Sequence, residues 1–112
     1  MHELSITRNI VTIVAEHAHG RPVRRVVLEI GALSGVMADS VAFCFDVVAK
    51  GTALEGAVLE IRSVPGRGKC KACGRELKLD TVLTACSCGS REVVRVAGEE
   101  LKIKEYELEE AA

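Results

Sequence analysis

Cys70-Lys-Ala-Cys73, followed beyond residues 74–85 by Cys86-Ser-Cys88, is the stretch on which the reading of this chain turns. Of the five cysteines, only Cys44 lies outside it. Two close cysteine pairs joined by a hairpin-length spacer are what a tetrahedral soft-metal site needs. Each pair turns tightly enough for both sulfurs to reach one ion, and the spacer brings the pairs together. Zinc is the first choice, because a four-thiolate shell suits it and it needs no assembled cluster. Arg67, Lys69, Lys71, Arg75, Lys78 and Arg91 outnumber Glu76 and Asp80 around the site. Zinc with four thiolates carries a net negative charge, which that basic surround stabilises. The competing reading is a pair of disulfides in a secreted miniprotein. It is disfavoured because the N-terminus lacks the basic region and cleavage site of an export signal.

Outward from the cysteines, Pro65-Gly-Arg-Gly68 marks a boundary on the N-terminal side. Before it, Ala57, Leu59 and Ile61 form one face of a strand that follows a turn at Glu55-Gly56. Earlier still, Asp39 is placed to cap a helix whose one face carries Val41, Cys44, Phe45 and Val48, with Gly51 as its stop. Cys44 on that stripe reads as an inert core thiol. Val23 to Leu33 is a strand in which Val26, Leu28 and Ile30 alternate with Val27 and Glu29. Leu4 to His19 is an amphipathic helix with Leu4, Ile6, Ile10, Val11, Ile13, Val14, Ala15 and Ala18 on one side, ended by Gly20 and Pro22.

On the C-terminal side, Val94 and Val96 give a short strand and Leu101 to Leu108 a longer one. Leu101 and Ile103 alternate properly, but Tyr106 and Leu108 are out of phase with them. A bulge near Lys104-Glu105 would restore the facing. The fold class is therefore α+β: a small antiparallel or mixed sheet packed with two helices, interrupted by a zinc-knuckle sub-domain of zinc-ribbon type. The chain is expected to return afterwards and complete the sheet.

Composition limits the function. At 112 residues, with 48% hydrophobic side chains, the chain forms one small domain with a core of Val, Leu, Ile and Ala; its aromatics are Phe43, Phe45 and Tyr106. A net charge of −1 and a pI near 6.3 argue against a general nucleic-acid binder. No apolar run is long enough for a membrane span. A cytoplasmic protein with reduced thiols is expected.

A second chemical feature is the N-terminus, Met1-His2-Glu3. Histidine at position 2 is too bulky for the usual methionine removal, so the Met1 amine survives. That amine, the His2 backbone nitrogen and His2 Nδ1 can form fused five- and six-membered chelate rings that leave an open coordination position. With the amide deprotonated, such a set favours square-planar Ni(II) or Cu(II). The plainer readings are a frayed polar histidine and a Glu3 carboxylate that complements the helix dipole. His17, at the edge of the apolar arc, and His19, near the helix end, are poorer ligand candidates. No nucleophile–base constellation and no phosphate-cradling glycine loop is visible, so an enzyme is not expected.

Met1-His2-Glu3-Leu4-Ser5 resembles the start of the HypA/HybF nickel-incorporation proteins, metallochaperones of nickel-iron hydrogenase maturation. The resemblance continues through Gly31-Ala-Leu-Ser-Gly-Val36, Phe43-x-Phe45, Lys50-Gly-Thr52, Gly56-Ala-Val-Leu-Glu-Ile61, the four cysteines and Glu100-Leu-Lys-Ile-Lys104. It implies a nickel-binding α+β domain of residues 1–65 and 94–112, with Met1, His2 and Glu3 as the nickel site. It also implies a zinc-binding domain of residues 66–93 held by Cys70, Cys73, Cys86 and Cys88. The implied role is delivery of Ni(II), as transient cargo, to the hydrogenase large subunit together with a nickel-handling GTPase. Some relatives serve urease, which adds urease accessory proteins to the implied partners. The chain departs from the family in its second cysteine pair, which is usually Cys-x-x-Cys. Two other classes would use the same cysteines: a zinc-ribbon module for nucleic-acid or protein interaction, and a rubredoxin-like iron electron carrier. The first should show clustered basic and aromatic residues. Here Glu99, Glu100, Glu105, Glu107, Glu109 and Glu110 outnumber Lys102 and Lys104 in the last segment.

Overall fold

A computed structural model describes residues 2–110. Among them the chain order is α1 (Glu3–His17), β1 (Val23–Gly31), α2 (Ala38–Val48), β2 (Val58–Val64), β3 (Arg67–Cys70), β4 (Glu76–Lys78), β5 (Val93–Ala97) and β6 (Leu101–Leu108). Two sheets result, one ordered β2-β1-β6 and the other β4-β3-β5. The fold is α+β with a mixed main sheet, because β1 runs parallel to β2 and antiparallel to β6. Parallel neighbours need a long crossover, and α2 supplies it.

The helices cover one face of the main sheet. Ile10, Val11, Val14 and Ala18 of the first helical stretch meet Val26, Leu28 and Ile30 of β1, with Val41, Phe45 and Ala49 closing the core. Burying each larger aliphatic side chain contributes about 1.5–3 kcal/mol, so this cluster is what fixes the helices to the sheet. Thr7 is fully buried among them and satisfied, its Oγ1 donating to the Glu3 carbonyl at 2.7 Å. Leu4 and Ile13, expected on the buried side, are exposed.

The other face of the sheet is polar and ionic. Arg25 on β1 bridges Glu60 on β2 (2.8 Å) and Glu107 on β6 (3.0 Å). Glu29 meets Lys102 at 3.2 Å and Lys104 at 3.6 Å. Val27, between Arg25 and Glu29 on β1, is fully buried although it does not belong to the helix-side cluster. One apolar and one solvated face is the ordinary economy of a sheet with antiparallel pairs at its edge.

Four expectations need correcting. The first helix ends at His17 rather than His19, because His19 (φ 53) and Gly20 (φ 74) turn left-handed and stop it. The first strand stops at Gly31, short of Leu33. The N-cap of α2 is Met37, and Asp39 lies inside the first turn. Val94 and Val96 do not begin the return to the main sheet: β5 pairs with β3 in the second sheet. The bulge near Lys104-Glu105 is present, since Val27 pairs with Glu105 and Leu28 with Ile103, leaving Lys104 as the extra residue.

The two sheets join where residues 31–33, 64–66 and 98–100 meet. Ala32 N–H donates to Val64 (2.9 Å), Leu33 N–H to Gly98 (2.7 Å) and Gly31 N–H to Glu100 (2.7 Å). A Cβ on Gly31 would lie 2.0 Å from the Gly98 carbonyl oxygen, and one on Gly98, at φ +111, 2.6 Å from Gly66 Cα. Backbones approach too closely there for side chains. The molecule is elongated, with extents of 59 × 25 × 17 Å.

Candidate functional site

The sequence carries two candidate metal centres of opposite character. In the first, β3 delivers Cys70 and a tight turn returns the chain: Gly74 N–H donates to the Cys70 carbonyl (2.8 Å) and Cys70 N–H to Arg75 (2.9 Å). A second turn holds the other pair, with Gly89 N–H on the Cys86 carbonyl (2.9 Å) and Cys86 N–H on Ser90 (3.0 Å). Each turn buries one sulfur residue, Cys70 or Cys86, and leaves Cys73 or Cys88 exposed.

The four Sγ atoms lie within 4.8 Å of one another. Cys70 Sγ is 3.7 Å from Cys88 Sγ, and Cys73 Sγ is 3.6 Å from Cys86 Sγ. A tetrahedron of sulfurs about 2.3 Å from zinc has edges of about 3.8 Å, so the spacing fits zinc. All five cysteines are free thiols, and the disulfide reading is set aside. The Cys-x-Cys spacing of the second pair does not keep its sulfurs from converging.

The protonation pattern agrees. Backbone N–H groups of Cys73 and Ala72 pull Cys70 down to about 6 against the opposing effect of burial. The Cys88 backbone N–H likewise lowers Cys86. The Ser90 backbone N–H favours the Cys88 thiolate, but the Cys86 and Cys70 sulfurs, burial and Cys73 together push it up to about 11. Sulfurs this close cannot all ionise unaided, so some stay protonated until a divalent cation takes the place of the protons.

The second centre is open. His2 stands at the N-cap of α1, exposed, and its carbonyl accepts the Ile6 N–H at 3.1 Å. Met1 lies outside the described residues, so the candidate set is seen only from His2 onward. Glu3 begins α1, and its Oε2 accepts the Met37 N–H at 3.2 Å, tying the start of one helix to the cap of the other. That backbone donor, with Glu3's own N–H, holds the Glu3 carboxyl below the usual range. His2 and Glu3 open on a groove of ≈ 590 Å³ lined also by Leu4, Ser5, Asp39, Ser40, Phe43 and Cys44. His17 and His19 are exposed at the far end of α1 and do not join the groove.

A family model described as hydrogenase/urease nickel incorporation, metallochaperone, hypA matches residues 1–108. The chain belongs to the HypA family. Relatives named hydrogenase maturation factor HypA include one from Nostoc sp., 58% identical over 98% of this chain and 97% of its own length. Another, from Geobacter sp., is 52% identical over 97% of this chain and the whole of its own. A solution structure of HypA protein aligns with a TM-score of 0.70 and 26% identity over 96% of both chains. The Ni metallochaperone HypA from Helicobacter pylori has the same fold, with a TM-score of 0.69 at 24% identity over 96% of this chain and 97% of its own. Membership of HypA makes this a maturation factor of the nickel-metallochaperone class, and the four-cysteine cluster suits its structural zinc.

Sequence reasoning did not find the groove around His2. Cys44 was expected in the core, yet it is half-buried and lines the groove, while Val41 and Phe45 carry the buried side of α2. Asp39 with Phe43 and Ser40 with Cys44 are i,i+4 pairs, a spacing that puts each pair on one helix face. That signal was available; which face turned towards α1 was not.

Proposed function

We propose that this chain binds Ni(II) through the Met1 amine, the His2 amide nitrogen and His2 Nδ1, with Glu3 assisting. It hands the ion, together with a partner GTPase, to the nickel-iron hydrogenase large subunit, and urease accessory proteins are further partners. Cys70, Cys73, Cys86 and Cys88 hold zinc for structure only. Residues 1–65 and 94–112 serve as the nickel domain and 66–93 as the zinc domain, although β5 shares a sheet with β3. The chain acts in the cytoplasm and is not an enzyme. Among the described residues no helix is long and apolar enough to cross a membrane.

The observation that carries this reading is the contrast between the two centres. The four sulfurs can close a complete tetrahedron around one ion, which suits retention. His2 sits exposed and Glu3 half-buried beside an open groove, which suits cargo that must leave again. Zinc chemistry in the cysteine cluster is that of a closed site, with no position left for a substrate.

The test is the nickel content of the hydrogenase large subunit in cells lacking this chain. Restoring the wild-type chain should restore nickel, and His2→Ala should not, while both proteins keep their zinc. A His2→Ala chain that restores full nickel content would refute the proposed cargo site.

A further inference from the structure

The last strand offers a docking edge, and its sequence specifies what docks there. β6 is an edge of the main sheet, and among the described residues no strand pairs with its outer side. Such an edge presents unpaired backbone N–H and C=O groups. Its residues are Leu101-Lys-Ile-Lys-Glu-Tyr-Glu-Leu108. Read towards its own middle from both ends, this is a palindrome in character: Leu against Leu, Lys against Glu, Ile against Tyr, Lys against Glu. We infer that β6 pairs antiparallel with β6 of a second copy of this chain, about a two-fold axis between Lys104 and Glu105.

In that register Lys104 meets the second copy's Glu105, Lys102 its Glu107, Ile103 its Tyr106 and Leu101 its Leu108. Residues directly opposite in an antiparallel pair point to the same face. In a straight strand this register would fail, because positions equidistant from the axis would point to opposite faces. The bulge at Lys104 removes the mismatch. Ile103, Tyr106 and Leu108 pack against the helix-side core, and Leu101 lines a groove with Ile6, Ile10 and Ile13 on that side. Lys102 and Lys104 reach Glu29, and Glu107 reaches Arg25, on the opposite face. Glu105 is the register partner of Val27, and cross-strand partners share a face. Every opposed pair therefore matches in facing as well as in chemistry.

Bulges and charges on an edge usually keep it single. Here the charges are split by sign about the axis, so an antiparallel copy is attracted and a parallel one in register meets like charge. Glu105 makes no ion pair among the described residues, whereas Glu107, Lys102 and Lys104 do; the second copy's Lys104 supplies its partner. Beyond the strand the acidic ends would oppose each other, Glu109 to Glu100 and Glu110 to Glu99. Glu100 is turned onto its own Gly98 N–H (2.7 Å) and Glu99 onto Arg95 (3.3 Å), which moderates the repulsion. The product is a six-stranded sheet with both helical layers on one face.

Sedimentation of the full chain tests this, zinc-loaded and nickel-free so that no cargo ion bridges copies, and reduced so that no thiol does. Wild type should show a concentration-dependent monomer–dimer equilibrium. Lys104→Glu and Glu105→Lys each place like charges opposite one another twice per dimer, and each should weaken association by about tenfold or more. Both positions are exposed, so folding is kept and circular dichroism checks it. Mixing the two variants should restore dimers, because each supplies the sign the other lacks. A wild type that stays monomeric up to about 1 mM overturns the inference. So does a dimer indifferent to both reversals, or a mixture that remains monomeric.

Discussion

Glu3 ties two helices together beside the proposed cargo site. Its carboxylate holds the Met37 N–H, and that donor lowers its pKa. A carboxyl with a depressed folded pKa stabilises the native state above its ordinary value of about 4.3 and loses that contribution as pH falls through the lower folded value. Glu3→Gln should therefore melt slightly below wild type near neutral pH, and the gap should close in acid. Thermal scans of the pair from about pH 7 to about pH 3 check the sign. In nickel titrations the same substitution should cost less affinity than His2→Ala if Glu3 only assists. The convergence of Cys70, Cys73, Cys86 and Cys88 was readable from residue type and spacing alone. The groove was not, because Asp39, Phe43 and Cys44 approach His2 only through the packing of α1 on α2.

At the scale of elements, α2 separates its two aromatic residues cleanly. Phe45 is 2% exposed and Phe43 73%. Phe45→Ala should lower stability by about 3–5 kcal/mol through the cavity it leaves, whereas Phe43→Ala should change it by less than about 0.5 kcal/mol. Denaturant unfolding of the two variants measures both. Periodicity located this helix, and it placed Phe45 correctly because a buried stripe repeats with the helical turn. It misplaced Cys44, which sits at the border of that stripe, where a few degrees of rotation decide between core and groove. Strand β6 was legible down to its bulge, since the break in alternation after Ile103 had to be absorbed somewhere. The partner of β5 was not legible. A short Val-rich strand can complete either sheet, and the choice is made by the close backbone crossing at Gly31, Gly66 and Gly98 rather than by the strand itself.

The whole molecule joins a core held by apolar packing to a sheet held around four sulfurs. Cys70→Ala should release about one zinc per chain and loosen the second sheet, since structural zinc contributes on the order of 10 kcal/mol to domains that depend on it. The helices and the main sheet should persist, because the cluster around Val14, Leu28 and Phe45 contains no metal ligand; amide hydrogen exchange resolves the two halves. Nickel should behave independently of that change. Its affinity should fall as pH drops from about 8 to about 6, because an α-amino group with a pKa of about 7.7–8.0 must lose its proton to bind. In the proposed nickel site the open centre is built on the free terminus and not on an imidazole alone. Titration of Ni(II) into the tag-free, zinc-loaded chain, beside the same chain extended by one residue before Met1, tests it most directly. The native terminus should bind tightly, the extended chain should lose that binding, and zinc should be unchanged in both. Equal nickel affinity in the two would contradict it.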